Sequence, residues 1–314
     1  MKRLLAFIVF GVLVSSPAEA QTAGRAGAFA RMGFGARGLG MGNALTAVTS
    51  GEVSSYYNPA LPAFGTVRHA GASIGVLSLG RYLNFLSFTQ PIQPTGGLSV
   101  GLINAGVRDI DGRDSDGEHT EMYSTYENQV YLSFSNRVDK NVSIGVTMKL
   151  YHSKLFESVT TTTVGFDAGI LFKPVDQIAV GIVLQDIGSK YKWNTKDVNS
   201  SGKETEDKFP MLKRLGISYA LPGDDAVGAL DLEHTSGGSL TFRAGIEYRI
   251  VERFTVRGGA DRIDAGDDAT GVKPTFGFTI DKPLEGWSPS VSYAYTHESF
   301  APHGYHMITL SAIF

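Results

Sequence analysis

The sequence predicts an all-β fold, an antiparallel transmembrane outer-membrane β-barrel of about 14 strands with an N-terminal plug. Three observations lead to this prediction. Beyond residue 67 the chain consists of short segments in which apolar and polar residues alternate. The connections between these segments are alternately short and long, as in bacterial outer-membrane barrels. The stretch 33–64 is rich in glycine and shows no such alternation.

The alternating segments have one apolar and one polar face, which is the pattern of a β-strand that separates two solvents. Within 142–150 every even-numbered residue is apolar, whereas the odd-numbered residues are serine, glycine, threonine and lysine. Within 240–250 one face carries arginine and glutamate and the other is entirely apolar. The segments that fit are 68–78, 82–90, 97–106, 122–135, 141–153, 162–173, 177–186, 211–220, 226–235, 239–249, 253–262, 272–281, 288–297 and 304–314.

The connections sort into two sets when every second one is taken. One set contains only short turns, such as 174–176 and 251–252. The other contains all the long connections, 107–121, 187–210 and 263–271. An even number of strands with this sorting places both ends of the barrel on the periplasmic side.

The first 20 residues predict a secretory signal peptide. Lys2 and Arg3 precede the apolar run 4–14, and Ala18-Glu19-Ala20 forms a cleavage site before Gln21. The run is too short to span a bilayer, and no later stretch approaches the ~20 apolar residues of a membrane helix. The chain has no cysteine, which excludes a lipid anchor and disulfides. We therefore expect export to the cell outer membrane of a Gram-negative bacterium.

The C-terminal residue is the second signal of that destination. Phe314 closes an alternating strand in which Ile308, Leu310 and Ala312 share its face. An aromatic residue at this position resembles the insertion signal of outer-membrane barrels. It implies outer-membrane lipid and the barrel-assembly machinery as partners.

Barrel size predicts what the glycine-rich stretch does. Eight strands leave an interior that side chains can fill, whereas 16 to 18 leave an aqueous channel. A barrel of fourteen should therefore leave a lumen that needs a plug, and 21–66 is the only unassigned piece large enough. We predict residues 21–66 as a hatch inside the lumen and 67–314 as the barrel.

Two motifs in this stretch are Gly38-Leu39-Gly40-Met41-Gly42-Asn43-Ala44 and Tyr56-Tyr57-Asn58-Pro59-Ala60. Together they resemble the N-terminal hatch of the FadL family of outer-membrane transporters, and more closely that of its PorV/PorQ relatives. The resemblance implies a hatch or gate built from Gly38, Gly40, Gly42, Asn43, Asn58, Pro59 and Ala60. It also implies that Asn58, Pro59 and Ala60 anchor the hatch to the barrel wall. Because Pro59 disfavours helical backbone at Asn58, we expect a short helix to end there.

The long connections bear on function. Residues 107–121 and 187–210 are highly polar and poorly suited to collecting fatty acids. This favours a PorV/PorQ-type role, in which the barrel binds partner or exported proteins during type IX-like secretion and surface attachment. The alternative is FadL-like passive uptake of a small hydrophobic or amphipathic solute, which would leave sideways near Gly106. A barrel without transport is a third possibility.

Charged residues on the predicted lumenal face form a further candidate site. We expect an inward ladder of salt bridges, with a selective polar channel as the alternative. The residues concerned are Asp231, Glu233, Arg243, Glu247, Arg249, Arg257 and Asp261.

Other site types are not favoured. The acidic stretch Asp109–Glu118 departs from the EF-hand spacing, so a solvated loop is preferred to a calcium site. Gly33–Gly38 matches G-x-G-x-x-G without the surrounding βαβ unit that binds a dinucleotide. The seven histidines lie in no catalytic motif. We expect no enzyme activity, no cofactor, no metal and, at a net charge of −3, no nucleic-acid partner.

Overall fold

The computed structural model describes residues 24–156, 158–196, 201–223, 225–264, 272–298 and 301–314. The predicted signal peptide and parts of the predicted connections 187–210 and 263–271 lie outside these residues.

Alternating polarity produces one closed antiparallel sheet, which confirms the predicted barrel and its fourteen strands. Each barrel strand pairs with the barrel strands before and after it in the chain, and the first pairs with the last to close the ring. The barrel strands are β1 (His69–Val76), β2 (Arg81–Ile92), β3 (Gly96–Arg113), β4 (His119–Asp139), β5 (Val142–Phe156), β6 (Val159–Val175), β7 (Ile178–Ile187), β10 (Leu212–Ala220), β11 (Ala226–Thr235), β12 (Leu240–Val251), β13 (Phe254–Asp264), β14 (Val272–Asp281), β15 (Ser288–Thr296) and β16 (Tyr305–Ile313).

Two of the long connections contain strands that the sequence pattern did not predict. Most of 107–121 extends β3 and β4, which remain paired up to Arg113 and His119. Residues 187–210 contain the hairpin β8 (Lys190–Asn194) and β9 (Glu204–Lys208). We call the end of the barrel with these connections the loop end and the opposite end, where β1 begins and β16 ends, the turn end.

The two faces of the wall lie in different surroundings. On β5 the outward side chains of Ile144, Val146 and Met148 are 47%, 60% and 52% exposed. Their inward neighbours Ser143 and Thr147 are buried. This division agrees with the predicted faces and gives the barrel an apolar exterior suited to lipid.

Residues 24–65, which we call the lumenal segment, lie inside the barrel. The segment contains the α-helix α1 (Gly35–Gly40) and two 3-10 turns, Ala28–Arg31 and Leu61–Phe64. Phe29 packs on Tyr151 near the loop end, and Leu61–Phe64 lies beside β3 and β4 near the turn end. The segment therefore runs along the lumen, while its limits as a separate domain, 21–66, stay a prediction. No described helix has the length and apolar character needed to cross a membrane.

The helix expected before Asn58 is absent from the described chain. Residues 55–57 form a turn, and a 3-10 turn instead begins after Ala60, with Pro62 in its first turn. Ser54 begins that turn, because its carbonyl accepts the N–H of Tyr57 at 3.2 Å and its hydroxyl accepts the N–H of Tyr56 at 3.3 Å.

Glycines on the inner face of the wall let the backbone of the lumenal segment approach it closely. A methyl group on Gly145 would overlap Pro59, and one on Gly181 would overlap the carbonyl of Thr46. The same relation holds on the other side of the lumen, where Gly259 faces the amide of Gly42. The main chain of the segment thus fits closely against the main chain of the wall.

Adjacent glycines on β13 provide a test of this complementarity. Gly259→Ala should lower the free energy of unfolding by about 1–3 kcal/mol, because its methyl group would lie 2.6 Å from the Gly42 nitrogen. Gly258→Ala is the matched control, since its outward methyl group would meet nothing within 4 Å. Urea unfolding in one detergent compares the two variants, and equal stability would contradict the close fit.

Candidate functional site

The candidate site is the surface along which the lumenal segment contacts the wall. Asn58 is its best-connected residue. Its Nδ2 donates to the carbonyl of Thr46 at 3.0 Å and to that of Ile170 in β6 at 3.3 Å. Ser143 of β5 donates to the carbonyl of Ala60 at 2.8 Å. Asn58, Pro59 and Ala60 therefore contact β5 and β6 directly, and their role as an anchor remains our proposal.

The predicted gate glycines lie in the second half of α1, at Gly38 and Gly40, and in the turn that follows it, at Gly42. Asn43 has a left-handed backbone with φ of 58°, and its N–H donates to the carbonyl of Gly38 at 2.7 Å. The Tyr57 hydroxyl lies 2.8 Å from Asn43 Oδ1, and a methyl group on Gly38 would overlap it. Burial raises the pKa of Tyr57 well above its ordinary value, so the hydroxyl stays protonated. Gly40 and Gly42 lie directly against the wall at β14 and at β12–β13.

Part of the predicted charge cluster forms a chain of alternating sign across β10 to β13. Glu233 accepts from Arg214 at 2.5 Å and lies 3.2 Å from Arg243. The Nε of Arg243 in turn donates to Asp261 at 2.9 Å. Buried charges are tolerated only when they are paired in this way.

A second ion-pair group joins the lumenal segment to the wall. Glu247 of β12 accepts from Arg37 of α1 at 2.8 and 2.9 Å and from Arg257 of β13 at 2.5 Å. Arg37 also donates to the carbonyls of Ser50 and Glu52 at 2.8 and 2.7 Å. This arginine is thus bound both to the wall and to the segment's own backbone.

Two predicted members of the cluster lie apart from these groups. Asp231 accepts the N–H of Thr46 at 3.1 Å, so it binds the lumenal segment's backbone. Arg249 lies at the turn end with its side chain 44% exposed, 3.6 Å from Asp225. Its inclusion in the lumenal cluster was wrong, because the last residues of β12 extend into solvent.

The sequence reasoning did not select Arg37 or Arg214. Arg37 is the only charged residue in the glycine-rich sequence 33–51, and that contrast is a usable signal. Arg214 lies on the inward face of β10, as the alternation would have indicated. Their partners could not be read from the sequence, since they lie 210 and 19 residues away.

A buried group on β5 to β7 was also missed. The Lys149 ammonium lies 2.8 Å from Asp167 and 3.0 Å from Asp186. Tyr151 donates to Asp186 at 2.6 Å, and Arg31 of the lumenal segment lies 3.8 Å from the same carboxylate. Lys149 is part of the predicted polar face of β5, but nothing in the sequence indicated its carboxylate partners.

Aromatic rings link the loop end to the lumen. Half-buried Trp193 packs on Tyr191 at 5.1 Å between ring centroids, and Tyr191 packs on Phe209 at 4.8 Å. Phe209 packs on Tyr151 at 4.8 Å, and Tyr151 packs on Phe29 at 6.4 Å. The rings form a continuous apolar series from the rim of the barrel to the lumenal segment.

The wall is closed where a sideways exit was predicted. Gly106 of β3 pairs with Tyr82 of β2 and with Tyr126 of β4. The ladder is continuous on both sides of this residue, and the ring of Tyr82 occupies the space beside it. An exit at Gly106 thus has no structural support.

The acidic stretch at the loop end forms its own contacts. Asp111 accepts from Arg113 and lies 2.6 Å from a ring nitrogen of His119, and these hydrogen bonds lower the pKa of its carboxyl. Asp114 Oδ1 accepts the N–H groups of Asp116 and Glu118. Within the described ranges no group of three or more histidine and acidic side chains is placed to hold a metal.

The C-terminal signal residue lies on the outer surface. Phe314 is 55% exposed, and its N–H donates to the carbonyl of Arg68 at 2.9 Å. Leu310 and Ile308 on the same face are also exposed. The orientation agrees with the predicted face, and the role of Phe314 in insertion stays a prediction.

No protein-family model and no curated protein matches the chain. Its structure is similar to that of a Pseudomonas aeruginosa FadL homologue, with a TM-score of 0.63, 12% identity, and 90% of this chain and 98% of that chain covered. It is also similar to the Pseudomonas putida toluene transporter TodX, with a TM-score of 0.62, 12% identity and coverage of 90% and 96%. A third similar structure is the CymD monoaromatic hydrocarbon channel, with a TM-score of 0.58, 14% identity and coverage of 90% and 97%.

These similarities define the class of fold, a closed fourteen-stranded barrel of the FadL type. TodX and CymD are named as a transporter and a channel, and the absence of enzyme activity in this chain stays a prediction. The PorV/PorQ relationship is not confirmed and stays a prediction.

The Arg37–Glu247 pair yields a test of how firmly the lumenal segment is held. Arg37→Met should lower the free energy of unfolding by about 3 kcal/mol, because it removes one partner of a buried ion pair. Arg249→Met is the control, since exposed pairs contribute about 0–1 kcal/mol. Urea unfolding in detergent measures both. A similar loss of unfolding free energy in the two variants would show that the charge of Arg37 adds little to stability.

Proposed function

We propose that the protein is an outer-membrane channel for passive uptake of a small hydrophobic or amphipathic solute. The observation that carries this proposal is the aromatic series from Trp193 to Phe29. Aromatic and aliphatic surfaces bind apolar solutes without directional bonds.

The fold supports the same proposal. The similar structures include proteins named as a toluene transporter and a monoaromatic hydrocarbon channel. At 12–14% identity this likeness shows the fold alone, so the solute is inferred from the rings of this chain. We infer an outer-membrane location from the apolar exterior of the barrel and from this fold.

Uptake through this barrel requires the lumenal segment to move. Its residues Phe34, Met41 and Tyr57 are almost fully buried, and hydrogen bonds hold it to several strands. We propose that the segment acts as a hatch and that the structure shows its closed form. In this proposal Gly38, Gly40, Gly42 and Asn43 belong to the moving gate, and Asn58–Ala60 is the fixed anchor.

The secretion role suggested by the PorV/PorQ resemblance receives less support. The observation in its favour is the polar hairpin of β3 and β4, which carries exposed carboxylates beyond the barrel. Exported proteins recovered with the barrel from outer membranes would favour that role. The comparisons favour uptake.

A reversible lock tests whether the hatch moves during uptake. The hydroxyl oxygens of Ser55 in the lumenal segment and Ser133 in β4 are 2.9 Å apart, which is close enough for a disulfide after exchange to cysteine. The chain has no other cysteine to interfere. With Ser55→Cys and Ser133→Cys oxidised, uptake of labelled toluene by intact cells should fall at least tenfold, and reductant should restore it.

The matched control joins two wall strands. Thr89 of β2 and Ser99 of β3 have oxygens 2.8 Å apart, so Thr89→Cys with Ser99→Cys adds a disulfide without touching the hatch. Uptake through this variant should be unchanged by oxidation. Undiminished uptake through the oxidised Ser55–Ser133 variant would refute hatch movement. If cells producing the unaltered barrel take up toluene no faster than cells without it, the uptake proposal itself is wrong.

A further inference from the structure

Gln129 of β4 is a buried amide without hydrogen-bond partners in the described part of the chain. The residue is 0% exposed, and neither its Oε1 nor its Nε2 has a partner. Gln185 of β7 shows the usual arrangement, since its Nε2 donates to the carbonyl of Tyr56 at 3.0 Å. Both glutamines point into the lumen, but only one is used to hold the lumenal segment.

An unpaired buried amide is costly to the fold. Each unsatisfied buried polar group lowers the stability of the fold, whereas methionine or leucine would fill the same space without that cost. The position of Gln129 therefore weakens the closed barrel. A residue of this kind is explained by a partner that reaches it in another state of the protein.

The surroundings of Gln129 are aromatic. Its Cα is in register with those of Ile103 and Tyr151 on the neighbouring strands, and Tyr131 lies two residues along the same face. Phe29 of the lumenal segment packs on Tyr151 at 6.4 Å between centroids, and Phe34 packs on Tyr131 at 6.0 Å. The amide thus lies between the rings against which Phe29 and Phe34 of the segment are packed.

The segment's phenylalanines are well suited to be exchanged for a solute. Their ring contacts with the wall are non-directional, and an aromatic solute would restore them. Such a solute would also bring the hydrogen-bonding group that the phenyl side chains lack. Its ring would replace a phenylalanine ring, and its polar substituent would meet Gln129.

We propose that Gln129 binds the hydroxyl group of an uncharged aromatic alcohol, such as a phenol, when Phe29 or Phe34 moves away from the wall. The amide can donate from Nε2 and accept at Oε1, which matches a hydroxyl group. Glu127 lies two residues away on the same face and disfavours a carboxylate there. This inference rests on the proposed uptake function and narrows its solute from hydrocarbons in general to hydroxylated aromatics.

The test compares labelled phenol with labelled toluene, which differ by the hydroxyl group in question. In cells producing the barrel, Gln129→Met should reduce the initial rate of phenol uptake about tenfold and change toluene uptake less than twofold. Gln129→Leu should behave in the same way. Both variants should also unfold at a higher temperature than the unaltered protein, because the unpaired amide is gone.

Gln185→Met is the matched control, since it removes a buried amide that already has its partner. It should leave the ratio of phenol to toluene uptake unchanged. An unchanged ratio in the Gln129 variants, or an equal loss of both solutes, would overturn the inference. Uptake of toluene without phenol by the unaltered barrel would also overturn it while leaving the uptake function standing. Uptake of neither solute would refute the uptake function.

Discussion

The width of a fourteen-stranded barrel is the constraint on which the rest of the structure depends. Wall side chains fill an eight-stranded barrel, but they cannot reach across a ring of this size. The lumenal segment fills the space that the wall side chains leave at the centre of the barrel. Where its main chain passes close to the wall, the wall residue is glycine. Gly145 of β5 and Gly259 of β13 lie on opposite sides of the lumen, and each makes room for a backbone group of the segment. Segment and wall therefore form one packed core.

The pairing of buried charges also depends on the contact between the lumenal segment and the wall. A buried carboxylate is stable only with a donor, and the desolvation cost of an unpaired one is several kcal/mol. Glu247 receives donors from Arg257 of the wall and from Arg37 of the segment, so the wall alone would leave it less well paired. Asp231 likewise meets the backbone N–H of Thr46. The polar face of the barrel is thus organised around the segment and is not a free aqueous lining.

The alternation of apolar and polar residues along the sequence predicted those features that depend on neighbouring residues in the chain. Strand positions followed from alternation, because each strand must present one face to an apolar and one to a polar surrounding. The contacts of Lys149 could not be predicted in this way, since its carboxylate partners come from β6 and β7 through the closure of the sheet. The prediction of a helix before Asn58 was wrong, because the chain forms a single turn there in which Ser54 accepts the N–H groups of Tyr56 and Tyr57. Polar residues in 107–121 were taken as a loop, yet cross-strand pairing continued through them.

The contacts of the lumenal segment differ along its length, and this difference bears on how a closed barrel could pass a solute. From α1 to Ala60 the segment is held by directional bonds, including those of Arg37 and Asn58, which an apolar solute cannot replace. Towards the loop end, ring contacts such as Phe29 on Tyr151 lie beside the Arg31–Asp186 ion pair, and these rings can be exchanged for the ring of a solute. A solute arriving from the loop end thus first meets contacts that its own ring can replace. Passage further along the lumen requires the remainder of the segment to move as well, against its directional bonds, as proposed for the hatch.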